Sequence, residues 1–428
     1  MKTSTVQDAT NTETSTVKPE PTRRITTIDT MKGMSIIMIF YCHFAFIWRT
    51  DDWMAFTRLQ WLFLDFVGPA MFVVMSMLGN MLSAAKEMET SKKDTLYTQK
   101  SLLKISYLFI IGEFINLLTI GETGILHVLE WNVVTTIAVF SLLIPAILRL
   151  KIRVRVLLLF FIVALYYPLL NYSMSSIDAA GIDPGAATPL QILDAPTIIY
   201  FLFFQQAMTC PLFPWLIVPL VTSIIFEPFV TAYRSNKPGA IQAELRKITI
   251  IGLIFIAGAI ASGFWLIRGY TRDIMYELEQ PGAFYSYPLG GVPVFLVRHT
   301  PQYLFYNLGI ICVIFGILAE RQLIQQKNIL WEEKINNCGI MSLTVFIVSH
   351  MSWLFPWIRM EALEFYVIFI PFLFLVVNLF WLWRTKGKMV GSVEWLMNVY
   401  MLTLSRLFKA RHEQAIDVAG EKTHVVAE

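Results

Sequence analysis

The stretch Arg24-Ile25-Thr26-Thr27-Ile28-Asp29-Thr30-Met31-Lys32-Gly33 leads directly into an apolar segment that contains His43. Lys32 stands where the hydrophobic residues begin, and His43 follows eleven positions later inside the same segment. At about 100° per residue, eleven steps along an α-helix return to within about 20° of the starting direction. We therefore expect both residues to share one helix face, roughly 16 Å apart along the axis, which is about half of a bilayer core.

The composition is that of a membrane protein. Of the 428 residues, 56% are hydrophobic and only 15% are charged, whereas roughly 25% of the residues in soluble domains are charged. This predicts an all-α, polytopic integral membrane protein. The four cysteines lie in or beside apolar runs without metal-binding spacing, so we expect buried thiols, no disulfide framework and no metal: Cys42, Cys210, Cys312 and Cys338.

The apolar runs predict about ten transmembrane helices. They cover residues 31–49, 61–84, 102–120, 124–148, 153–171, 209–231, 247–268, 299–319, 336–356 and 361–383. Of the 34 lysines and arginines, 28 fall on the side of the N-terminus in this arrangement. Because positive residues concentrate on the cytoplasmic side, we expect both termini to be inside the cell.

The flanking segments differ from the apolar core in composition. We expect a disordered cytoplasmic tail at 1–22, a transmembrane domain at 23–385, an amphipathic cytoplasmic helix at 386–411 and a second disordered tail at 412–428. No targeting signal is visible in the polar N-terminal segment, which favours a multi-pass protein of the cell membrane.

Ionisable residues inside a membrane are costly, so each is a candidate for function. By depth, Lys32 and Lys104 fall in the inner half and Glu113 falls near the middle. The outer half collects four histidines on four different spans, together with two carboxylates: His43, His127, His299, His350, Asp65 and Glu130. Each residue also has a structural explanation, as a helix-packing histidine, a snorkelling lysine or a helix-capping carboxylate.

This arrangement suits group transfer across a membrane. A histidine in a low-dielectric pocket, oriented by a carboxylate, acts as a general base or attacks an activated acyl donor itself. A cation at the inner mouth would hold the anionic head of a coenzyme A thioester, whose thin arm would reach the histidine. The acceptor would then enter from outside.

Several motifs carry a resemblance to known families. The pattern Asp29-x-x-Lys32-Gly33, with ten residues between Lys32 and His43, resembles the Arg-plus-ten-plus-His signature of the type 3 integral membrane acyltransferases. More of the chain resembles the heparan-α-glucosaminide N-acetyltransferase-like family of the same transmembrane acyltransferase superfamily. The supporting motifs are Phe66-Val67-Gly68-Pro69-Ala70-Met71-Phe72 with Ser76, Gly124-Ile125-Leu126, Pro211-Leu212-Phe213-Pro214-Trp215, and Thr300-Pro301 with Gly309.

The resemblance implies an acetyltransferase with acetyl-CoA as donor and a glycan acceptor. His43 matches the essential histidine of the type 3 branch and Lys32 matches its arginine, with a point charge in place of the guanidinium fork. The lysosomal branch has asparagine where this chain has His43 and carries its reactive histidine in the next loop. Residues 49–61 contain no histidine here, so we assign the chemistry to His43.

We therefore expect a transferase that moves an acetyl or other short acyl group from cytoplasmic acyl-CoA to an extracytoplasmic sugar hydroxyl or amine. His43 would react, and Asp65 or Glu130 would orient it. Asp29, Lys32 and Lys104 would bind the donor, and the substrate pocket would contain Glu113, His127, Arg298, His299 and His350.

The expected partners are acyl-CoA, a carbohydrate or glycolipid acceptor and membrane lipids, with a homodimer allowed and no nucleic acid. Two other classes fit the same residues. A proton-coupled secondary transporter would use the outer histidines and carboxylates as a relay. A non-enzymatic scaffold would use them only to hold helices together.

Overall fold

The computed structural model describes residues 24–50, 66–90, 98–118, 131–181, 194–204, 210–264, 266–267, 292–296, 299–327, 331–355 and 357–408. The predicted tails at 1–22 and 412–428 lie outside these residues. So do most residues of the segment between positions 268 and 299.

The described chain is helical apart from one short pair of strands. The helices are α1 (Thr26–Trp48), α2 (Phe66–Thr90), α3 (Gln99–Leu118), α4 (Val133–Arg149), α5 (Ile152–Ala180), α6 (Ala195–Phe203), α7 (Leu212–Trp215), α8 (Ile217–Arg234), α9 (Pro238–Gly263), α10 (Pro301–Ala319), α11 (Glu332–Ile340), α12 (Ser342–His350), α13 (Ala362–Thr385) and α14 (residues 393–408). Strands β1 (Leu266–Ile267) and β2 (Val292–Pro293) pair antiparallel, with Leu266 opposite Pro293. Short 3₁₀ turns cover Val294–Leu296 and Met351–Leu354, and a π-helical turn, Glu320–Ile324, extends α10.

Polar side chains mark several helix starts. The Asn132 side chain accepts hydrogen bonds from the backbone N–H groups of Val134 and Thr135 at the start of α4. Asp194 and Thr300 cap α6 and α10 in the same way. These side chains satisfy N–H groups that have no partner within the helix, which fixes where each helix begins.

The helices confirm the membrane-spanning, helical class. Seven spans within the described residues are long and apolar enough to cross a membrane, and α11 with α12 makes an eighth if that bent pair is one span. The helices α1, with 23 residues, and α4, with 17 residues, fall outside this set. The count of about ten and the orientation stay predictions. The domain boundaries also stay predictions, although α14 lies within the segment expected to be amphipathic.

Helix α1 is enclosed by the other helices and packs on α2, α11 and α12. Its contact with α11 depends on two glycines. A Cβ atom at Gly33 would lie 1.9 Å from the Ile335 carbonyl oxygen, and one at Gly339 would lie 1.9 Å from the Asp29 carbonyl oxygen. Only glycine permits so close an approach of two backbones. Small residues are common for this reason where membrane helices pack together.

One large apolar core runs through the centre of the bundle, and a smaller cluster joins α5 to α6. Helices α2 and α8 are the most enclosed spans, whereas α5, α9 and α13 lie at the periphery. Their outer faces expose large apolar side chains, among them Leu157, Phe160, Leu253 and Val367. Such continuous apolar faces fit a lipid environment, because water would penalise them.

Candidate active site

Helix α1 sets the spacing of the two residues on which the site is built. It is unbroken from Thr26 to Trp48, so Lys32 and His43 lie about 16 Å apart along its axis. Each residue sits in a distinct environment: Lys32 lines a basic cavity, and His43 contacts a second histidine on α12.

The His43 ring faces α12, in the interior of the bundle. Its Nδ1 atom lies 3.0 Å from the Ser349 hydroxyl. The His350 ring stands edge-on to it, with the two ring centroids 4.4 Å apart and the planes at 80°. Phe346 completes the wall, with its ring centroid 5.9 Å from that of His43.

The hydrogen bonds assign the tautomers of both histidines. The Ser349 hydroxyl donates its single proton to the Phe346 carbonyl at 2.6 Å, so its oxygen accepts from His43 Nδ1. His350 Nδ1 lies 2.8 Å from the same carbonyl, which can only accept, so this nitrogen also carries a proton. In the neutral rings, therefore, the Nε2 atoms keep their lone pairs. The Nε2 atom of His43 is the basic and nucleophilic position.

The other end of α1 borders a cavity of about 400 Å³. The start of α1 and the ends of α2 and α8 form its walls. Four cations and one carboxylate line it, together with Ser83 and Tyr233: Arg24, Lys32, Lys86, Arg234 and Asp29. Arg24 pairs with Asp29 at 2.6 Å. This excess of positive charge in a concave, partly enclosed space suits an anionic ligand.

Comparison with protein families shows to which family the chain belongs. Residues 24–268 match the family described as heparan-alpha-glucosaminide N-acetyltransferase, catalytic, which is more than half of the chain. The chain belongs to this family. A search of curated proteins gives no match.

Membership in the heparan-alpha-glucosaminide N-acetyltransferase family makes this a transmembrane acetyltransferase. The matched range begins at Arg24 and includes Lys32, His43 and the three helices that enclose the basic cavity. It ends before α10, so Ser349 and His350 lie beyond it. The type 3 signature read at positions 32 and 43 stays a prediction.

Lys104, predicted to bind the donor, forms its hydrogen bond next to the cavity of this acetyltransferase, at Asn80, which follows the lining residue Gly79. It donates to Asn80 on α2 at 3.0 Å, and Asn80 donates to Ser141 on α4 at 2.6 Å. Lys104 also lies within electrostatic range of Lys32. It therefore adds to the positive potential of the cavity while linking three helices.

Two other predicted pocket residues have contacts of their own. His299 is buried, and its Nδ1 accepts from the Trp215 indole at 3.3 Å. Glu113 is half-buried on α3 and bonds the Asn116 side chain. Of the four histidines expected to cluster, the structure places His43 and His350 in contact. Asp65, His127, Glu130 and Arg298 lie outside the described residues.

The sequence analysis missed Ser349 and three cavity cations, Arg24, Lys86 and Arg234. Ser349 is adjacent to the candidate His350 but stands 306 positions from His43. The three cations lie in basic segments that the topology alone explained. All three lie at the inner ends of predicted spans, the first, second and sixth. This common depth could have indicated that they face one site.

Proposed function

We propose that this chain transfers an acetyl group from cytoplasmic acetyl-CoA to an extracytoplasmic acceptor, with His43 as the reacting residue. One observation carries the proposal: Lys32, which lines a cavity with three other cations, and His43, hydrogen-bonded to Ser349, lie on the same helix about 16 Å apart. The cavity would hold the phosphates of coenzyme A, and the pantetheine arm would extend along α1 toward His43.

The family name supports an amino sugar as acceptor, since a glucosaminide is the substrate it states. A sugar hydroxyl remains the second candidate. In either case the acceptor reaches His43 from the end of the bundle opposite the basic cavity. The proposed location is the cell membrane, with lipids against the exposed apolar faces.

The chemistry follows from the free Nε2 atom of His43. In direct transfer, the acceptor oxygen or nitrogen attacks the thioester carbonyl while Nε2 takes the acceptor proton. The C–S bond breaks, and the imidazolium returns that proton to the departing coenzyme A sulfur. In the covalent route, Nε2 attacks the carbonyl, the C–S bond breaks, and coenzyme A leaves as the thiolate beside an acetylimidazolium. The acceptor then attacks the acetyl group, its proton passes to the coenzyme A thiolate, and the imidazole leaves in its neutral form.

The test is acetyl transfer by purified, detergent-solubilised protein supplied with labelled acetyl-CoA and glucosaminide acceptors. The wild-type chain should consume the donor, and His43→Ala should lower the rate by about 10²–10⁴-fold, the usual contribution of a general base. Cys42→Ala is the matched control, because that residue precedes His43 on α1 but points about 100° away.

Two results would contradict the proposal. Full transfer by His43→Ala would move the chemistry to another residue. Proton-coupled uptake by liposomes containing the protein, without consumption of acetyl-CoA, would favour a secondary transporter instead.

A further inference from the structure

The α11–α12 pair is broken close to the candidate active site. The two helices meet at Met341 with a bend of 78°. Met341 offers no side-chain hydrogen bond to the first N–H groups of α12. A nine-residue helix is marginal by itself, so α12 needs partners from elsewhere to hold its start.

Those partners come from the start of α14, about 50 residues later. The Glu394 carboxylate accepts hydrogen bonds from the backbone N–H of Leu343 at 2.7 Å and of Thr344 at 3.3 Å. It also accepts from the Thr344 hydroxyl. Burial raises the pKa of Glu394, and the hydrogen bonds from Thr344 and Leu343 oppose that shift.

The contact is reciprocal. The Thr344 hydroxyl accepts from the Val393 N–H at 2.9 Å, while Ser392 accepts from the Trp395 N–H at 3.1 Å. The N-termini of α12 and α14 thus cap each other across the tertiary contact. A carboxylate between two helix N-termini is favourable, because each carries a partial positive charge.

A second set of contacts fixes α14 to α3. The Tyr107 hydroxyl donates to the Val393 carbonyl at 3.0 Å, and the hydroxyls of Ser106 and Tyr400 lie 3.1 Å apart. These contacts with α3 fix the position of Glu394, which in turn fixes the start of α12. The capped end of α12 lies six residues, or about 9 Å, from Ser349 and His350. A small tilt at Thr344 would move both side chains relative to His43.

We infer that Glu394 is a positioning residue for His43: it caps α12 so that Ser349 and His350 meet the reacting imidazole. This inference rests on the proposed function. It assigns a positioning role in the active site to the segment after α13, which lies beyond the residues that match the family.

Two measurements on the purified full-length chain test the inference: hydrogen exchange of the α12 amides, and acetyl-transfer kinetics. In Glu394→Ala the amides of residues 343–350 should exchange about fivefold faster, the size expected for a lost cap. The kcat should fall about tenfold, because the reacting groups are misplaced. The KM for acetyl-CoA should not rise, because Lys32 keeps its place in the cavity and loses only the nearby negative charge of Glu394.

Three further variants separate positioning from general destabilisation. Glu394→Gln keeps an acceptor for both N–H groups and should restore kcat to within about threefold of wild type. Thr344→Val is a milder change that removes one hydroxyl from the contact and should act in the same direction as Glu394→Ala. Asn398→Ala, at an exposed position one turn further along α14, should match wild type.

Unchanged exchange at α12 in Glu394→Ala would refute the cap. Faster exchange with unaltered kcat would refute the positioning role, as would a raised KM at constant kcat. Wild-type protein that transfers no acetyl group would instead refute the proposed function, while the exchange comparison would still decide whether Glu394 holds α12.

Discussion

The hydroxyl of Ser349 is hydrogen-bonded to Nδ1 of His43, which leaves Nε2 as the nitrogen that we propose reacts. Its proton goes to the Phe346 carbonyl and its oxygen accepts from Nδ1. In Ser349→Ala the partly buried Nδ1–H loses this acceptor. We expect kcat for acetyl transfer to fall about tenfold, since an unmet buried donor costs about 1–3 kcal/mol.

Ser352→Ala is the matched control for that prediction. Ser352 is fully buried three residues further along the chain, and its hydroxyl donates to the Ser349 carbonyl. The Ser352→Ala substitution also removes a serine hydroxyl, but this hydroxyl is not bonded to His43. Equal kinetic losses in both variants would show that Ser349 acts only through packing.

Lys32 is expected to act on donor binding. In Lys32→Ala the KM for acetyl-CoA should rise about tenfold, because a charge-assisted contact with a phosphate is lost. The kcat at saturation should change less, and Lys32→Arg should retain affinity. Lys247→Ala removes the same charge from an exposed position beside Glu244. If both alanine variants raise the KM equally, the effect comes from net charge and not from the cavity.

The sequence could predict the relation between Lys32 and His43 because both lie on one helix, where spacing fixes direction and distance. It could not place Ser349 against His43, or Arg234 beside Lys32, because helix-to-helix packing brings these pairs together. Asp65 and Glu130, one of which is predicted to orient His43, lie outside the described residues, so that role stays a prediction. Among the described residues, the partner of His43 Nδ1 is the Ser349 hydroxyl.

At the level of helices, the α1–α11 contact leaves no room for added volume at Gly33 or Gly339. Gly339→Ala would force a Cβ atom into the Asp29 carbonyl oxygen. The helices must then separate, and we expect the free energy of unfolding to fall by about 1–3 kcal/mol. Thermal denaturation of the solubilised protein measures this loss, which should be accompanied by weaker donor binding because Asp29 and Lys32 shift.

Gly258→Ala is the control, since a Cβ atom there meets nothing within 4 Å on the helix α9. Alanine favours a helix over glycine by up to about 1 kcal/mol, so this variant should be neutral or slightly stabilising. A Gly339→Ala protein as stable as Gly258→Ala would show that the two backbones do not approach as closely as the structure describes.

Hydropathy predicts where helices lie but not where they break. Each of the ten predicted spans overlaps a helix, yet the ninth span is two helices bent by 78°. The apolar pattern continues through Met341, so composition gives no sign of the bend. Glu394 caps the second of these helices, and no local sequence pattern could predict that contact, because the two segments are about 50 residues apart.

At the scale of the molecule, the positive charges of the described residues concentrate at one end of the bundle. Arg24, Lys86 and Arg234 surround the cavity at the start of α1 and at the ends of α2 and α8. Arg49 and Arg359 lie beyond the opposite ends of α1 and α12. This asymmetry is what the positive-inside rule describes, and it agrees with a cytoplasmic donor site.

Single cysteines test this orientation directly. Asn236, in the exposed turn between α8 and α9, and Arg359, exposed just before α13, stand at opposite ends of the bundle. In intact cells a membrane-impermeant maleimide should label Arg359→Cys, whereas Asn236→Cys should react only after permeabilisation. The unsubstituted chain is the control, because three native cysteines are buried and Cys42 is half-buried. The reverse labelling would place the basic cavity outside the cell, away from acetyl-CoA, and the donor assignment would then be untenable whatever the role of His43.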